Sequence, residues 1–529
     1  MTDTPETDAA RTDEPETDVV VIGGGIAGLA AAWELTRGSP PWRVTVIEGS
    51  GRLGGKIETA PFSGIALDGG PDAFLARVPA AAQLAREAGL GDALVAPGTG
   101  QAWLWTRGRL RGLPTGLVLG VPVDLPALAR SGVLPPQATA RAALDLALPG
   151  HAVGPEDDVA VGRLVRRRMG RAVQEGLVDP LLGGINAGHT DHLSAAVAAP
   201  QLLAAARRGT SLIRSLRAAG TGGTASGAVT GPRTGGANEG GPNEGRANEG
   251  GPTADGAGLS TAGTDRTAQA GPGGGPVFLT VRGGLSRLVD AIASGLGEAG
   301  CALRTGDPVE TLARTATGWD VRLRSGALLR ARAVVVACPA PVAAALLRPV
   351  SPAAATELAG IATASVALVS LAYPAEGQPT WAGSGFLVPR GDRRLITAGS
   401  WVGQKWPHLA VPGRILVRAS AGRIDDERIA TLDDDELSAA VHRDVAAAMG
   451  LHGPPLETRV HRWAGAFPQY EVGHLGRIDR LERRLAADTP TLAVAGAALR
   501  GVGLATCIAG GRAAAARVRS ALATPTPQA

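Results

Sequence analysis

The stretch Asp18-Val-Val-Val-Ile22-Gly23-Gly24-Gly25-Ile26-Ala27-Gly28-Leu29, continued by Ala-rich residues to Arg37 and by Arg43-Val-Thr-Val-Ile-Glu48, decides how this chain is read. Asp18–Ile22 is a short apolar run of strand type, and Leu29–Arg37 has the composition of a helix. Residues 43–48 supply a second apolar strand that ends on an acid. Strand, turn, helix and strand in that order form a βαβ unit, which requires a parallel sheet and a right-handed crossover. The turn carries Gly23-x-Gly25-x-x-Gly28, in which Gly23 permits the tight turn and Gly25 lets backbone approach a pyrophosphate. Gly28 lets helix and strand pack closely, and the helix N-terminus then faces phosphate. Gly24, Ile26 and Ala27 complete the turn and the helix entrance. Glu48, twenty residues past Gly28 and followed by Gly49, is placed to accept hydrogen bonds from an adenosine ribose. A purely structural glycine turn would explain the glycines but not the register of strand, helix and acid.

Next outward, Arg52-Leu53-Gly54-Gly55-Lys56 puts two consecutive glycines beyond the ribose acid, flanked by cations able to reach phosphate. Taken alone it reads equally well as an ordinary Gly-rich loop.

The rest of the composition bounds the answer. A length of 529 residues allows about two to four domains, and 44% hydrophobic with 19% charged residues fits a globular protein. Glycine is abundant, 76 residues, without the period of three that a collagen needs. Aromatics at 3% leave little for a base-stacking surface. Of the 52 cationic side chains only Lys56 and Lys405 are lysines, and the net charge is +4. The planar fork of arginine suits carboxylates, so an anionic small molecule fits better than nucleic acid, and the basic run Arg163–Arg171 is read as a solvated helix face. Cys301, Cys338 and Cys507 are far apart and form no Cys-x-x-Cys pair, which points to a reducing compartment. Residues 1–17 are acidic and lack the apolar core of a secretory signal, so they read as a disordered tail. The charge-free run Leu358–Ala375 has the length of a membrane span, but its Gly, Thr, Ser and Pro374 favour a buried strand over Ser365–Tyr373. The expectation is no transmembrane segment and a cytoplasmic location, with a peripheral position at a membrane left open.

Residues 101–219 mix short apolar segments with Pro-marked breaks and read as a helical subdomain. Residues 220–276 contain 19 glycines in 57 residues and a quasi-repeat of Asn-Glu-Gly, which reads as a disordered surface insertion. Order resumes at Val277. Trp319–Arg324, the turn Ser325-Gly326 and Leu328–Ala337 read as a hairpin, residues 360–420 as strand-rich, Thr491–Gly496 as a buried strand, and Cys507–Leu522 as a helix. The fold expected is α/β. Its dinucleotide-binding domain is discontinuous over 18–75, 277–340 and 476–522, its substrate domain takes 76–100 and 341–475, and 523–529 is a tail.

Several further stretches carry a resemblance: Asp68-Gly-Gly-Pro71-Asp72-Ala73-Phe-Leu-Ala-Arg77, Pro180–His189, Phe278–Leu288, Lys405-Trp-Pro-His408, Arg462-Trp463–His474 and Gly501-Val502-Gly503-Leu504. Together with the two glycine loops they resemble the flavin amine oxidase superfamily and, within it, the porphyrinogen oxidases of haem biosynthesis, over about Asp18–Leu522. The soluble bacterial branch is the most similar, whose members oxidise coproporphyrinogen III and often protoporphyrinogen IX. The resemblance implies a Rossmann-like FAD-binding domain with a mixed-sheet substrate domain and a helical subdomain. It implies FAD as cofactor, a propionate-bearing porphyrinogen as substrate, molecular oxygen as acceptor, and transient contact with the next haem-pathway enzyme. By the same match, Gly23, Gly25, Gly28, Glu48, Arg52, Gly54, Gly55 and Lys56 fall on pyrophosphate and ribose contacts, and Gly70, Pro71, Asp72 and Ala73 on backbone meeting the flavin ring. Val309 falls beside adenine, Trp463 on the flavin side, and Gly496, Gly501, Val502 and Gly503 at the entrance of the C-terminal helix over the ring.

This chain departs from that pattern at Asn186, where relatives commonly carry tyrosine, at Ala505-Thr506 in place of Pro-Asp, and in the 220–276 insertion. Asn186 is a candidate substrate contact, and the second departure is expected to loosen the turn beside the flavin. Arg77 and then Lys405 are the candidate cations for substrate carboxylates. No side-chain base is assigned. His189, Asp191 and His192 make a polar turn more readily than a metal site, and no nucleophile elbow supports hydrolase chemistry. Two further readings stay open: another flavin amine oxidase acting on amines or carotenoid precursors, and a non-catalytic flavin or tetrapyrrole carrier.

Overall fold

The computed structural model describes residues 17–149, 153–221 and 276–523; the acidic tail, nearly all of the Gly-rich insertion and the last six residues lie outside the described residues. The opening stretch folds as β1 (Thr17–Ile22), α1 (Ile26–Thr36) and β2 (Val44–Glu48). Val19, Val20 and Val21 are all fully buried, which is why β1 is continuously apolar instead of alternating. β1 lies parallel to β2 on one side and to Leu328–Val336 on the other. The sheet runs Ala302–Thr305, β2, β1, Leu328–Val336, Trp319–Leu323, Val309–Arg314, with Leu492–Val494 parallel to Leu328–Val336. Segments far apart in the chain therefore complete one sheet. The hairpin expected at 319–337 is present and antiparallel.

One face of this sheet is covered by α1, Ser286–Glu298 and Leu504–Ala523, the other by Ala340–Leu347, Pro352–Ala359 and His474–Asp488. Two segments assigned in sequence to the substrate domain pack on this sheet instead. Pro79–Glu87 buries Ala81, Ala82, Leu84 and Ala85 in the dinucleotide-side core, and Ala340–Ala359 caps the opposite face of the same sheet. Position along the chain carries no information about which sheet an apolar helix face will cover.

A second seven-stranded sheet has the order Glu457–Pro468, Thr363–Pro374, Arg414–Ala421, Ile396–Trp401, Gly385–Leu387, Ala102–Thr106, Arg109–Gly112. Its pairings are antiparallel except that of Gly385–Leu387 with Ala102–Thr106. Residues 102–112, expected to be helical, are thus a hairpin. Its turn residues Arg107 and Gly108 both have positive φ, 51° and 73°, the geometry that matches the twist of paired strands. The charge-free run is mostly the strand Thr363–Pro374, and among the described residues no helix is long and apolar enough to cross a membrane.

The remainder of 113–221 is largely helical around its own core. A buried ion pair ties it together: Arg168 Nε donates to Asp145 Oδ1 at 2.6 Å, while Asp145 Oδ2 accepts from Ser211 Oγ at 2.7 Å and Ile213 N at 2.9 Å. Gln174–Gly183 is a widened, π-type helix with Pro180 inside it, a register that accommodates a residue lacking the backbone donor.

Candidate cofactor and active site

The two glycine loops meet. Gly54 N donates to Gly24 O at 2.8 Å, Gly25 and Gly54 pair as a parallel bridge, and a Cβ on Gly55 would lie 3.2 Å from Gly25 Cα. At the base of the first turn Gly23 N donates to Ile47 O at 2.7 Å, and a Cβ on Gly28 would run into Gly23 O. Gly25 itself faces open space, its nearest neighbour to a Cβ being Gly55 Cα at 4.0 Å. The result is a backbone-lined concavity at the N-terminus of α1, whose entrance is Ile26, Ala27 and Gly28.

Glu48 stands at one end of it. Its Oε2 accepts from Gly24 N at 2.7 Å and its Oε1 from Ser50 N and Oγ, both at 2.8 Å. A Cβ on Gly49 would lie 3.0 Å from Pro308 Cβ, so the start of Val309–Arg314 lies close to the end of β2. Arg52 differs from expectation. Its guanidinium folds its own loop, donating to Ile57 O at 2.9 Å, Gly55 O at 2.8 Å and Glu58 Oε2 at 3.0 Å. Three partners already fixed in the loop leave it a brace instead of a phosphate hand. Lys56 makes no hydrogen bond or ion pair among the described residues. Desolvation lowers its pKa, and the neighbouring Cys507 works the other way.

Gly69–Ala73 crosses to the second sheet. A Cβ on Gly70 would run into Lys56 O, and Trp463 Nε1 donates to Gly69 O at 2.8 Å. Pro71 and Ala73 are half-buried, and Asp72 is paired. Lys405 Nζ lies 2.7 Å and Arg418 Nη2 3.1 Å from Asp72 Oδ2, with Trp406 Nε1 at 3.2 Å. Burial pushes the Asp72 carboxyl up, but Arg418 and Lys405 outweigh it and hold it well below the usual carboxylate range. Lys405, expected as a substrate cation, is therefore engaged within the protein. Arg77, just past Phe74–Leu75, is exposed and has no hydrogen bond or ion pair among the described residues.

Asn186 is also corrected. It is buried, and its Nδ2 donates to Leu182 O at 2.8 Å, as a short polar side chain does when it can reach back to the preceding turn. Its neighbour Ile185, 60% exposed, is the residue that faces outward. Asp191 is taken by Arg166, an ion pair that the His-Asp-His spacing does not reveal.

At the C-terminal side Gly496 and Gly501 have φ of 118° and 144°, conformations that favour glycine, and Val502 and Gly503 lead into Leu504–Ala523. Thr506, at the position of the Pro-Asp departure, packs against Gly501, its Cγ2 3.3 Å from where a Cβ would be. Tyr470 Oη donates to Ala497 O at 2.6 Å and His474 Nε2 to Leu499 O at 2.8 Å, with the two rings edge to face at 5.0 Å. For His474 and Arg418 the signal in sequence is a polar or charged residue set within an otherwise apolar helix face or strand; Tyr470, in the loop between Glu457–Pro468 and His474–Asp488, has no such signal.

The sequence matches the family of flavin-containing amine oxidoreductases over residues 26–519. This chain belongs to that family. Among curated flavin oxidoreductases of the family it is 34% identical over 502 residues to the coproporphyrinogen III oxidase of Bacillus subtilis strain 168, covering 94% of this chain and 96% of that one. It is 39% identical over 529 residues to the coproporphyrinogen III oxidase of Propionibacterium freudenreichii subsp. freudenreichii, covering 99% and 94%. A solved structure from Exiguobacterium sp. 255-15, described as a protoporphyrinogen oxidase, superposes with a TM-score of 0.78 at 28% identity, covering 96% and 99%. A putrescine oxidase variant shares the fold, with a TM-score of 0.62 at 15% identity over 95% and 99%. The chain is an FAD-dependent oxidoreductase, and the cradle fits that cofactor: Gly25, Gly496 and Gly503 line open backbone where a Cβ would meet nothing closer than 3.8 Å.

Proposed function

We propose that this flavin-containing oxidoreductase converts coproporphyrinogen III to coproporphyrin III in haem biosynthesis. The supporting observation is near-full-length identity of 34% and 39% to two proteins bearing that name. Bound FAD would supply the redox chemistry, accepting hydride from each of three saturated bridge positions in turn and passing the electrons to molecular oxygen, with one hydrogen peroxide released per round.

The residues divide the remaining work. Gly23–Gly28 and Gly54–Lys56 hold the pyrophosphate by backbone approach and the α1 N-terminus, and Glu48 takes the ribose. Gly70–Ala73, Trp463 and Gly496–Gly503 bound the flavin ring on the protein side. Arg77, without a hydrogen bond or ion pair among the described residues, receives a substrate propionate through charge-assisted hydrogen bonds. No side chain is assigned as a base, and orientation of the bridging C–H toward the cofactor is the protein's contribution. The discontinuous dinucleotide unit holds the cofactor and the second sheet the substrate, with the helical subdomain beside them. The location is cytoplasmic, and product passes to the next pathway enzyme by transient contact.

The second reading, protoporphyrinogen IX oxidation, is favoured by the 30% identity to the protoporphyrinogen oxidase of Bos taurus. Purified holoprotein supplied in air with each porphyrinogen decides between them, read by porphyrin fluorescence and peroxide. A large preference for protoporphyrinogen overturns the order, and porphyrin formation from neither overturns the function. Arg77→Ala should raise KM for coproporphyrinogen with flavin still bound; loss of flavin would move Arg77 into the cofactor shell.

A further inference from the structure

Arg414–Ala421 reads Arg-Ile-Leu-Val-Arg-Ala-Ser-Ala and lies in the interior of the second sheet, between Thr363–Pro374 and Ile396–Trp401. A charge in such a strand is costly unless it is paired and fully hydrogen-bonded. The Arg418 side chain is only 10% exposed, and all of its described partners lie in one loop. Nη1 donates to Asp68 O at 2.7 Å and to Gly70 O at 3.1 Å, and Nη2 pairs with Asp72 at 3.1 Å. The carbonyl between them, Gly69 O, is held by Trp463 Nε1 at 2.8 Å. Three consecutive loop carbonyls are thus captured by side chains of the substrate sheet.

Fixing a carbonyl fixes the plane of its peptide, and so the direction of the N–H one residue on. The Gly69 N–H is already donated to Glu58 O at 2.8 Å, and Pro71 has none. Gly70 N–H is the donor that this arrangement aims away from the substrate sheet. Gly70 also abuts Lys56 O, and the Lys56 loop lies across Gly25 through Gly55. Contacts therefore run from Arg418 through Gly70 and Gly55 to the first glycine turn, joining the sheet that presents substrate to the cradle that holds cofactor. Asp72, itself gripped by Lys405 and Trp406, keeps the guanidinium in place.

We infer that Arg418 is a positioning residue for the flavin, fixing with Asp72 as its counter-ion the Asp68–Gly69 and Gly70–Pro71 peptides on either side of the Gly69–Gly70 peptide that Trp463 holds, and so the direction of the Gly70 N–H. The inference rests on the reading that Gly70–Ala73 meets the flavin. It is specific about geometry: a cation alone cannot replace it, because a lysine that reaches Asp72 cannot span both carbonyls.

The test uses the full-length protein as wild type, Arg418→Lys and Arg418→Met, with FAD titrated into apoprotein, visible circular dichroism of the bound flavin, its midpoint potential under dithionite, and steady-state turnover. Arg418→Met should weaken FAD binding by about tenfold or more, the scale of losing charge-assisted hydrogen bonds. Its flavin dichroism should change, and kcat should fall by a similar factor while KM stays within about twofold. Arg418→Lys should fold and pair with Asp72, yet recover only part of the FAD affinity and of kcat. Wild-type affinity, dichroism and potential in Arg418→Met would overturn the inference, as would complete rescue by Arg418→Lys. Should Arg418→Met fail to fold, the lysine variant carries the same comparison alone. The titration and dichroism involve no porphyrinogen, so a wild type that binds FAD but leaves coproporphyrinogen untouched sinks the proposed function without touching this result.

Discussion

Gly28→Ala puts the reading of the first glycine turn at risk in one atom. The added methyl would be driven into Gly23 O and would lie 3.2 Å from Val21 Cγ1. Neither side can retreat freely. Gly23 is pinned by its bond to Ile47 O at 2.7 Å, and a Cβ on it would already be 2.9 Å from the Ala337 carbonyl. α1 cannot back away either, because the C-terminal helix presses on it at Gly511, where a Cβ would run into Ala27 O. Overpacking of this kind costs about 1–3 kcal/mol. Because the displaced atoms are the turn itself, the effect should show in cofactor affinity, as a rise in Kd of about five- to 150-fold. Titration of FAD into apoprotein, followed by flavin fluorescence, measures it, with thermal unfolding alongside. Gly297→Ala in Ser286–Glu298 is the control. No atom lies within 4 Å of its Cβ, so it should leave FAD affinity unchanged and stabilise the helix by up to about 1 kcal/mol. A Gly28→Ala protein that binds FAD within about twofold of wild type would refute the close-packed turn.

Other outcomes follow from the same geometry. Asp145→Ala should cost about 3–5 kcal/mol in denaturant unfolding, since it strands the buried Arg168 guanidinium, and a loss under about 1 kcal/mol would contradict the network. Tyr470→Phe removes the 2.6 Å bond to Ala497 O and should cost about 1–3 kcal/mol while quickening FAD release; unchanged release would separate Tyr470 from the cofactor turn. Burial pushes the thiols of Cys301 and Cys507 up to about 11, so a thiol reagent at pH 8 should react with neither in the folded protein and with both after unfolding. Fast labelling of either in the native state would show that its burial is wrong. Asp72 sits below its unfolded value of about 3.9 because Arg418 and Lys405 outweigh its burial. A depressed carboxylate stabilises the fold above its unfolded pKa and loses that contribution as pH falls through the folded one. The stability gap between wild type and Asp72→Asn should therefore be constant from neutral pH to about pH 5 and close only below about pH 4; closure above pH 5 would contradict the pairing.

The dinucleotide half was readable because its signals are local. β1, α1 and β2 announce themselves by run length, glycine spacing and a terminal acid, and each needs only its own neighbours to be recognised. The hairpin at 102–112 was obscured by the prolines that follow it, and its two positive-φ turn residues include an arginine that no turn rule would select. Arg52, Asn186 and Lys405 show the other limit. A side chain's chemistry is visible in sequence, but whether a carbonyl or carboxylate has already claimed it depends on partners up to 333 residues away, as for Lys405 and Asp72. Arg77 kept its candidacy for the converse reason, that nothing described reaches it.

By itself the sequence determined the existence of the βαβ cradle, because glycine spacing encodes backbone approach directly, and its further motifs carried the resemblance that implied the family and the cofactor. Only the tertiary structure decided which of the candidate cations brace the protein, as Arg52 and Lys405 do, and that the loop Gly69–Ala73 is held from behind by Arg418 and Trp463. The last are long-range pairings with strands of the second sheet, and hydrogen-bond satisfaction across such a junction has no period or motif that a linear chain can display.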